Sequence, residues 1–215
     1  MSRIGVLGGT FDPVHKGHIA LAQAACREFS LDRLILMPAY IQPFKRDRKV
    51  SDDGERLEML ELALAEVSDS DAGIPLEIST YEIDKEGVSY SYDTISHLKE
   101  EYPTDRIFFV MGSDPLRFNE EKEKINLENW YRAEDLFNLC DFIVSLRPED
   151  DRENIAKTLA YLSDKYGMEM ALIEEEMPAI NSTMIREMAG KGEDISALVL
   201  PEVREYIEMK GMYRG

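Results

Sequence analysis

Basic residues are scarce in this sequence: 25 Lys and Arg stand against 43 Asp and Glu, a formal net charge of -18. So acidic a chain lacks a broad positive face, which argues against nucleic acid or an anionic membrane as its usual partner. A small anionic metabolite stays open, because a local site can be positive on an acidic protein. No run approaches the roughly 18 apolar residues of a membrane span, and the first residues carry no signal-peptide pattern, so the expected location is cytoplasmic. Only Cys26 and Cys140 are present, and both fall in apolar surroundings, so they read as buried free thiols. With three histidines in all, no structural zinc cluster is expected. There is no internal repeat, low-complexity linker or strong domain boundary, and 215 residues suit one domain with a large core.

What is present is an alternation of apolar strands and amphipathic helices. Residues 3–7 and 32–38 read as strands, the second through Leu34, Ile35, Leu36 and Met37; such a continuous run suits a parallel strand covered on both faces. The helix between them, residues 17–29, puts Ile19, Ala22, Cys26 and Phe29 on one face, and a right-handed βαβ crossover is the natural connection. Further strands are expected at 76–81, 105–112, 141–146 and 168–173. Helices are expected at 51–66 with Leu57, Leu60 and Leu64 inward, after a cap at Ser91 or Asp93, at 152–166, and from Pro201 to a stop at Gly211. Residues 82–90 read as a turn through Gly87, and 119–129 as an exposed insertion ahead of a helix carrying Trp130, Ala133, Leu136 and Phe137. The pattern predicts an α/β fold, one α/β/α unit with a mainly parallel sheet.

Chemistry concentrates in the stretch GVLGGTFDPVHKGH. Gly8 and Gly9 read as a tight turn after the first strand, and His15 and His18 stand where the next helix begins. Backbone N–H groups at a helix start favour anions, and two imidazoles beside them can donate to phosphate oxygens. Either histidine alone reads equally well as a surface or capping residue; together with the strand, the turn and the helix start they point to a phosphate-handling loop. No GKS or GKT follows the glycines and no GxGxxG is formed, so this is neither a Walker loop nor a dinucleotide fingerprint. The loop at 38–54 carries the densest basic cluster, Lys45, Arg46, Arg48 and Lys49, which suits either a phosphate grip beyond a strand's carboxyl end or a solvated loop. Asp114 follows the clearest central strand, where open α/β sheets bind ligands, although Asp before Pro is also ordinary turn chemistry. In INSTMIREMAG, residues Asn181, Ser182 and Thr183 make a cap and first turn with Arg186 close behind, either a plain N-cap or a clasp for the outer phosphates of a nucleotide.

Taken in order from Ile4 to Tyr213, these motifs resemble those of the bacterial nicotinate-nucleotide adenylyltransferases, nucleotidyltransferases with a Rossmann-like three-layer α/β/α fold. GGTFDPVHKGH resembles the family's phosphate loop with its HxGH core, and INSTMIR its ISSTxIR, with Asn181 where Ser is usual. QPFK, residues 42–45, stands at the family's PPHK, with Phe44 in place of His and Lys45 retained. SYSYDTI at 89–95 resembles SYTxDTL, GSD at 112–114 resembles GAD, and Trp130 and Arg147-Pro148 fall in step with the family's Trp and RPG. Pantetheine-phosphate adenylyltransferases, cytidylyltransferases and class I aminoacyl-tRNA synthetases carry similar HxGH loops. The first usually have Thr in place of the first His and a shorter chain, and the synthetases would add a KMSKS-like loop that is not found here.

The resemblance implies a single nucleotidyltransferase domain over residues 1–215, with 180–215 a C-terminal helical part bearing the INSTMIR motif. It implies adenylyl transfer from ATP to nicotinate mononucleotide, giving deamido-NAD and pyrophosphate. In that reading Gly8, Gly9, Thr10, Phe11, His15, His18, Ser182, Thr183 and Arg186 hold ATP, and His15, His18, Lys45 and Arg186 are catalytic. Lys45, Ser91, Asp114, Trp130, Tyr131 and Arg147 hold the mononucleotide. Composition alone makes Trp130 a core plug rather than a ligand platform; the family's matching Trp stacks on the nicotinate ring, with donors for the ring carboxylate from the Ser91 region and the backbone around Tyr131. Mg²⁺ is expected to travel with ATP rather than in a protein cage. The family also forms homo-oligomers, though no strip of this sequence identifies an interface. The alternatives are a nicotinamide-mononucleotide or dual-specificity enzyme, another HxGH nucleotidyltransferase, and a non-catalytic nucleotide-binding regulator.

Overall fold

The apolar runs do pair side by side. A computed structural model describes residues 1–43, 50–68 and 75–214, so Phe44 and the basic cluster of Lys45, Arg46, Arg48 and Lys49 lie outside the described residues. The strands are β1 (Arg3–Gly9), β2 (Arg33–Pro38), β3 (Leu76–Ile78), β4 (Arg106–Gly112), a small hairpin of β5 (Phe118–Asn119) and β6 (Lys124–Ile125), β7 (Asp141–Ser145) and β8 (Met170–Leu172). Interleaved are α1 (Lys16–Phe29), α2 (Asp53–Ser68), α3 (Tyr81–Lys85), α4 (Ser91–Glu101), α5 (Ala133–Phe137), α6 (Arg152–Tyr166), α7 (Ser182–Gly190) and α8 (Pro201–Lys210). Six strands form the main sheet in the order β3-β2-β1-β4-β7-β8, with every neighbouring pair parallel. The order reverses direction between β1 and β4, and the crevice beyond their carboxyl ends is where such sheets take ligands.

The period-2 alternation of the strands divides their side chains between two cores. Leu7, Leu34, Leu36, Phe108, Val110 and Ile143 face a layer built from α1, α2, α7 and α8. Ile4, Val6, Ile35, Met37, Phe109 and Val144 face the other, built from α4, α5 and α6. Covering on both faces is why the strands read as unbroken apolar runs. The result is the three-layer α/β/α fold. Cys26 and Cys140 are buried free thiols, one in each core. Burial pushes the Cys26 thiol up to about 12 and raises that of Cys140 as well, so neither is a ready nucleophile.

Several local expectations are corrected. Gly8 and Gly9 are not a turn but the last residues of β1, and the turn comes at Asp12 and Pro13. In α2 the inward stripe is Arg56, Met59, Leu60, Ala63 and Val67, while Leu57 and Leu64 are only half-buried. The strand expected to reach Tyr81 stops at Ile78, and α3 occupies the start of the expected 82–90 turn. In 119–129 the exposed part ends at Lys124: Ile125 and Leu127 are buried in the second core. Trp130 precedes α5 rather than lying on it, at the end of a short 3-10 turn.

Candidate active site

The carboxyl ends of β1 and β4 collect most of the residues singled out above. At β1 the chain leaves the sheet after Gly9, passes Thr10 and Phe11, and enters α1 through His15. Phe11 is buried, its ring packed over Gly9 and set edge-on to the His18 ring at 4.9 Å, so only its backbone can meet a ligand. His15 is the N-cap of α1. Its Nδ1 accepts from the His18 N–H at 3.3 Å, and the His18 Nδ1 accepts from the His15 N–H at 3.3 Å. The two rings stack with centroids 3.6 Å apart. Gly17 makes this possible, since a Cβ there would come within 3.0 Å of the His15 ring.

This reciprocal cap settles how the imidazoles can work. A nitrogen that accepts a backbone N–H carries no proton, so each ring, when neutral, holds its proton on Nε2. The Lys16 N–H is taken by the Leu198 carbonyl at 3.0 Å and the His18 N–H by His15, so the imidazole edges add to what the helix start can offer an anion. Burial lowers the His15 pKa to about 4, so at neutral pH it is an uncharged donor.

The INSTMIR segment lies directly against the loop. Asn181 caps α7 by accepting from the Met184 N–H at 2.9 Å, the Ser182 hydroxyl donates to the Pro13 carbonyl at 3.0 Å, and Arg186 Nη1 donates to the Asp12 carbonyl. Arg186 Nη2 also donates to Thr183 Oγ1 at 3.2 Å. Lys16 Nζ reaches the Ser196 carbonyl at 2.9 Å, which ties the same corner to the segment before α8. Two motifs about 170 residues apart thus meet at one corner, the histidine loop and the α7 start with Arg186.

The second group of expected residues meets above β4 and β7. Arg147 grips Asp114 with both Nε, at 3.0 Å, and Nη2. Asp150 joins the two loops by accepting from the Ser113 hydroxyl and from the Arg147 N–H at 2.7 Å. Ser91 begins α4, directly after Tyr90, whose ring lies 4.5 Å from that of half-exposed Tyr131. Trp130 is half-buried and meets Phe109 edge-to-face at 5.8 Å, so one part packs on the core while the rest stays available. Lys45 is the one expected site residue outside the described residues.

Three polar groups escaped the sequence reading. Arg56 is fully buried, donating from Nη1 to the Thr10 carbonyl at 2.7 Å and pairing with Asp53, so it supports the phosphate loop from below. Its signal was available: a charged residue in the apolar stripe of α2. Asp12, 2% exposed, receives the Tyr213 hydroxyl at 2.8 Å. Glu82 on α3, also buried, accepts from the Thr94 hydroxyl at 2.5 Å beside the start of α4, and burial raises its pKa. Among the described residues no group of three or more His, Cys, Asp or Glu is placed to hold a metal ion, and no helix is long and apolar enough to cross a membrane.

Residues 6–188 match the cytidylyltransferase-like family. A nicotinate-nucleotide adenylyltransferase of Bacillus subtilis (strain 168) is 34% identical over 215 residues, covering 100% of both chains. A probable nicotinate-nucleotide adenylyltransferase of Clostridium botulinum (strain Eklund 17B / Type B) is 33% identical over 214 residues, 100% of this chain and 99% of that one. Among solved structures, a Plasmodium falciparum nicotinic acid mononucleotide adenylyltransferase complexed with NaAD superposes with a TM-score of 0.76 over 99% of this chain and 98% of the other. At 18% identity that likeness speaks to the fold.

Proposed function

The chain belongs to the nicotinate-nucleotide adenylyltransferases, within the cytidylyltransferase-like family, and from that premise we propose how it transfers the adenylyl group of ATP to nicotinate mononucleotide. The observation that carries the reading is the single cradle made by His15, His18 and the start of α7, because it gives a triphosphate donors on two sides. A phosphate oxygen of nicotinate mononucleotide attacks the α-phosphorus of ATP in line. The bond between that phosphorus and the α–β bridging oxygen breaks, and pyrophosphate leaves with the electron pair. A phosphate monoester is already nucleophilic at neutral pH, so no protein base is required. The protein's contribution is alignment and stabilisation of charge on the transferring and leaving groups.

His18 donates from Nε2 to the transferring phosphate, and His15, behind it in the stack, to the neighbouring phosphate. Arg186, with Ser182 and Thr183 at the α7 start, holds the outer phosphates, which a planar guanidinium can bridge better than an ammonium. Lys45 adds positive charge near the transfer point. Thr10 and the open carboxyl end of β1 at Gly8 and Gly9 receive the nucleotide, and the MgATP complex brings its own cation. On the other wall Trp130 stacks on the pyridine ring, Ser91 and the backbone near Tyr131 donate to its carboxylate, and the Asp114–Arg147 pair places the ribose phosphate part. Two buried, unpaired thiols support a reducing, cytoplasmic setting. The test supplies purified protein with ATP, Mg²⁺ and each mononucleotide separately, with dinucleotide and pyrophosphate measured. The expected result is much faster turnover of the nicotinate form. Faster turnover of the nicotinamide form, or none of either, overturns the assignment.

A further inference from the structure

Asp12 places a carboxylate inside the loop that has to receive a polyanion, and it is almost wholly buried. Both of its oxygens are occupied. Oδ1 accepts from the Tyr213 hydroxyl at 2.8 Å, and Oδ2 from the Ser51 backbone N–H at 3.4 Å. A side-chain hydrogen bond also joins Ser51 to Tyr213. Segments from the first loop, the start of α2 and the stretch after α8 therefore close on one carboxylate. Arg186 stands beside it with Nη1 at 3.8 Å from Oδ2, which is beyond hydrogen-bond distance, and donates to the Asp12 main-chain carbonyl instead.

The spacing matters because a guanidinium has five N–H donors in a fixed plane, and those turned toward Asp12 are lost to a ligand. A buried carboxylate deprived of one donor draws in the nearest cation, since an unsatisfied buried charge is costly. Among the described residues the cation paired with it is the one assigned to the triphosphate. We propose that Tyr213 is a positioning residue for adenylyl transfer: by holding Asp12 Oδ1 it keeps Arg186 off that carboxylate and turned toward ATP. The inference rests on the phosphate role proposed above for Arg186. Burial and the adjacent Asp12 raise the Tyr213 phenol well above its ordinary range, so it remains a donor throughout the working pH range. The tail is packed to hold it there: the Tyr213 ring lies against the first core, and a Cβ at Gly190 would come within 2.8 Å of the Tyr213 carbonyl.

Tyr213→Phe deletes the hydroxyl and keeps the ring. The expected result is a rise in the ATP KM of about tenfold, the size of one hydrogen bond to a charged group, with the nicotinate mononucleotide KM nearly unchanged. In an Arg186→Ala background the same substitution should have no further effect on the ATP KM, because the residue it acts through is gone. A tyrosine that merely braces the fold would lower the melting temperature and leave the ATP KM alone, or raise both KM values together, and either result overturns the inference. So does a tenfold effect that persists without Arg186. If Arg186→Ala itself leaves the ATP KM at the wild-type value, the phosphate role of Arg186 falls and takes this inference with it. If Arg186→Ala raises the ATP KM and Tyr213→Phe does not, only the inference about Tyr213 falls.

Discussion

Replacing His15 by Asn tests the neutral state of His15 on which the phosphate cradle depends. Asn Oδ1 sits where the imidazole Nδ1 sits, and Asn is a favoured N-cap, so the bond from the His18 N–H survives while the titrating group is removed. In the folded protein burial lowers the His15 pKa from 6.5 to about 4, and in the unfolded chain it returns to the ordinary value. Between those two values the unfolded state binds the extra proton, so stability falls as the pH drops below 6.5 and the loss is complete only below about 4. From pH 7.5 to pH 5 this integrates to about 2 kcal/mol. The lower limit is chosen to stay above the sequence pI of about 4.6, where an acidic protein begins to precipitate.

The assay is urea unfolding of wild type and His15→Asn at both pH values. Every other titrating group is common to the two proteins, so the difference between their pH-dependent losses isolates His15. Wild type should lose about 2 kcal/mol more than the variant over that interval. Equal losses would mean that His15 accepts a proton in the folded state without penalty. The assignment of His15 as a neutral donor at working pH would then fail.

Three further outcomes are expected. His18→Ala should reduce turnover at saturating substrates by roughly 10² to 10³, the usual loss of a donor that strengthens in the transition state, and near-normal turnover would remove His18 from that role. Trp130→Ala should raise the nicotinate mononucleotide KM about 10-fold or more, the range of one lost base-stacking contact, with the ATP KM little changed. A variant that melts many degrees lower and loses both substrates together would make Trp130 a core residue. Arg56→Met keeps the volume under the loop but orphans the Thr10 carbonyl, so urea unfolding should show a loss of about 1–3 kcal/mol; an unchanged midpoint would show that the loop does not need that support.

What could be read from the sequence was whatever depends on near neighbours. β2 and β4 announce themselves because both faces are covered; α6 begins where its pattern does because Asp151 accepts from the Glu153 and Asn154 N–H groups, and ends there because left-handed Gly167 caps it. The motif order placed the His loop and the α7 start at one site without any coordinates. Residues whose meaning lies in a distant partner were hidden. Asp12 looks like turn chemistry until Tyr213 is brought to it, and Glu82 like part of a polar turn until Thr94 covers it. The leucine spacing of α2 points to a stripe through Leu57 and Leu64, which the structure leaves half-buried. A fully buried Arg56 rotates the helix, since its guanidinium has to meet the Thr10 carbonyl and Asp53. Apolar spacing places Trp130 on a helix because it does not reveal that a 3-10 turn ends just before it.

The remaining question is how a chain with a net charge of -18 holds a polyanion, and the answer lies in which acids stand near the site. Asp12 is held by Tyr213 and Ser51 with Arg186 alongside, Asp114 by Arg147, and Asp150 by Ser113 and the Arg147 N–H. Asp114 therefore meets a ligand with its charge offset by Arg147, and Asp12 and Asp150 with their oxygens already hydrogen-bonded. Nor does the cradle answer a negative ligand only with positive charge, because His15 is neutral at working pH. That choice has a kinetic consequence. A permanent cation at this position would bind ATP, the transition state and departing pyrophosphate about equally, and uniform binding does not raise turnover. A neutral N–H fixed by its reciprocal cap gains strength as the phosphate oxygens it faces gain charge, and relaxes when the product leaves. In the proposed site a neutral His15 is thus suited to favour the transition state over the ground state, and the cations around it to capture and orientation.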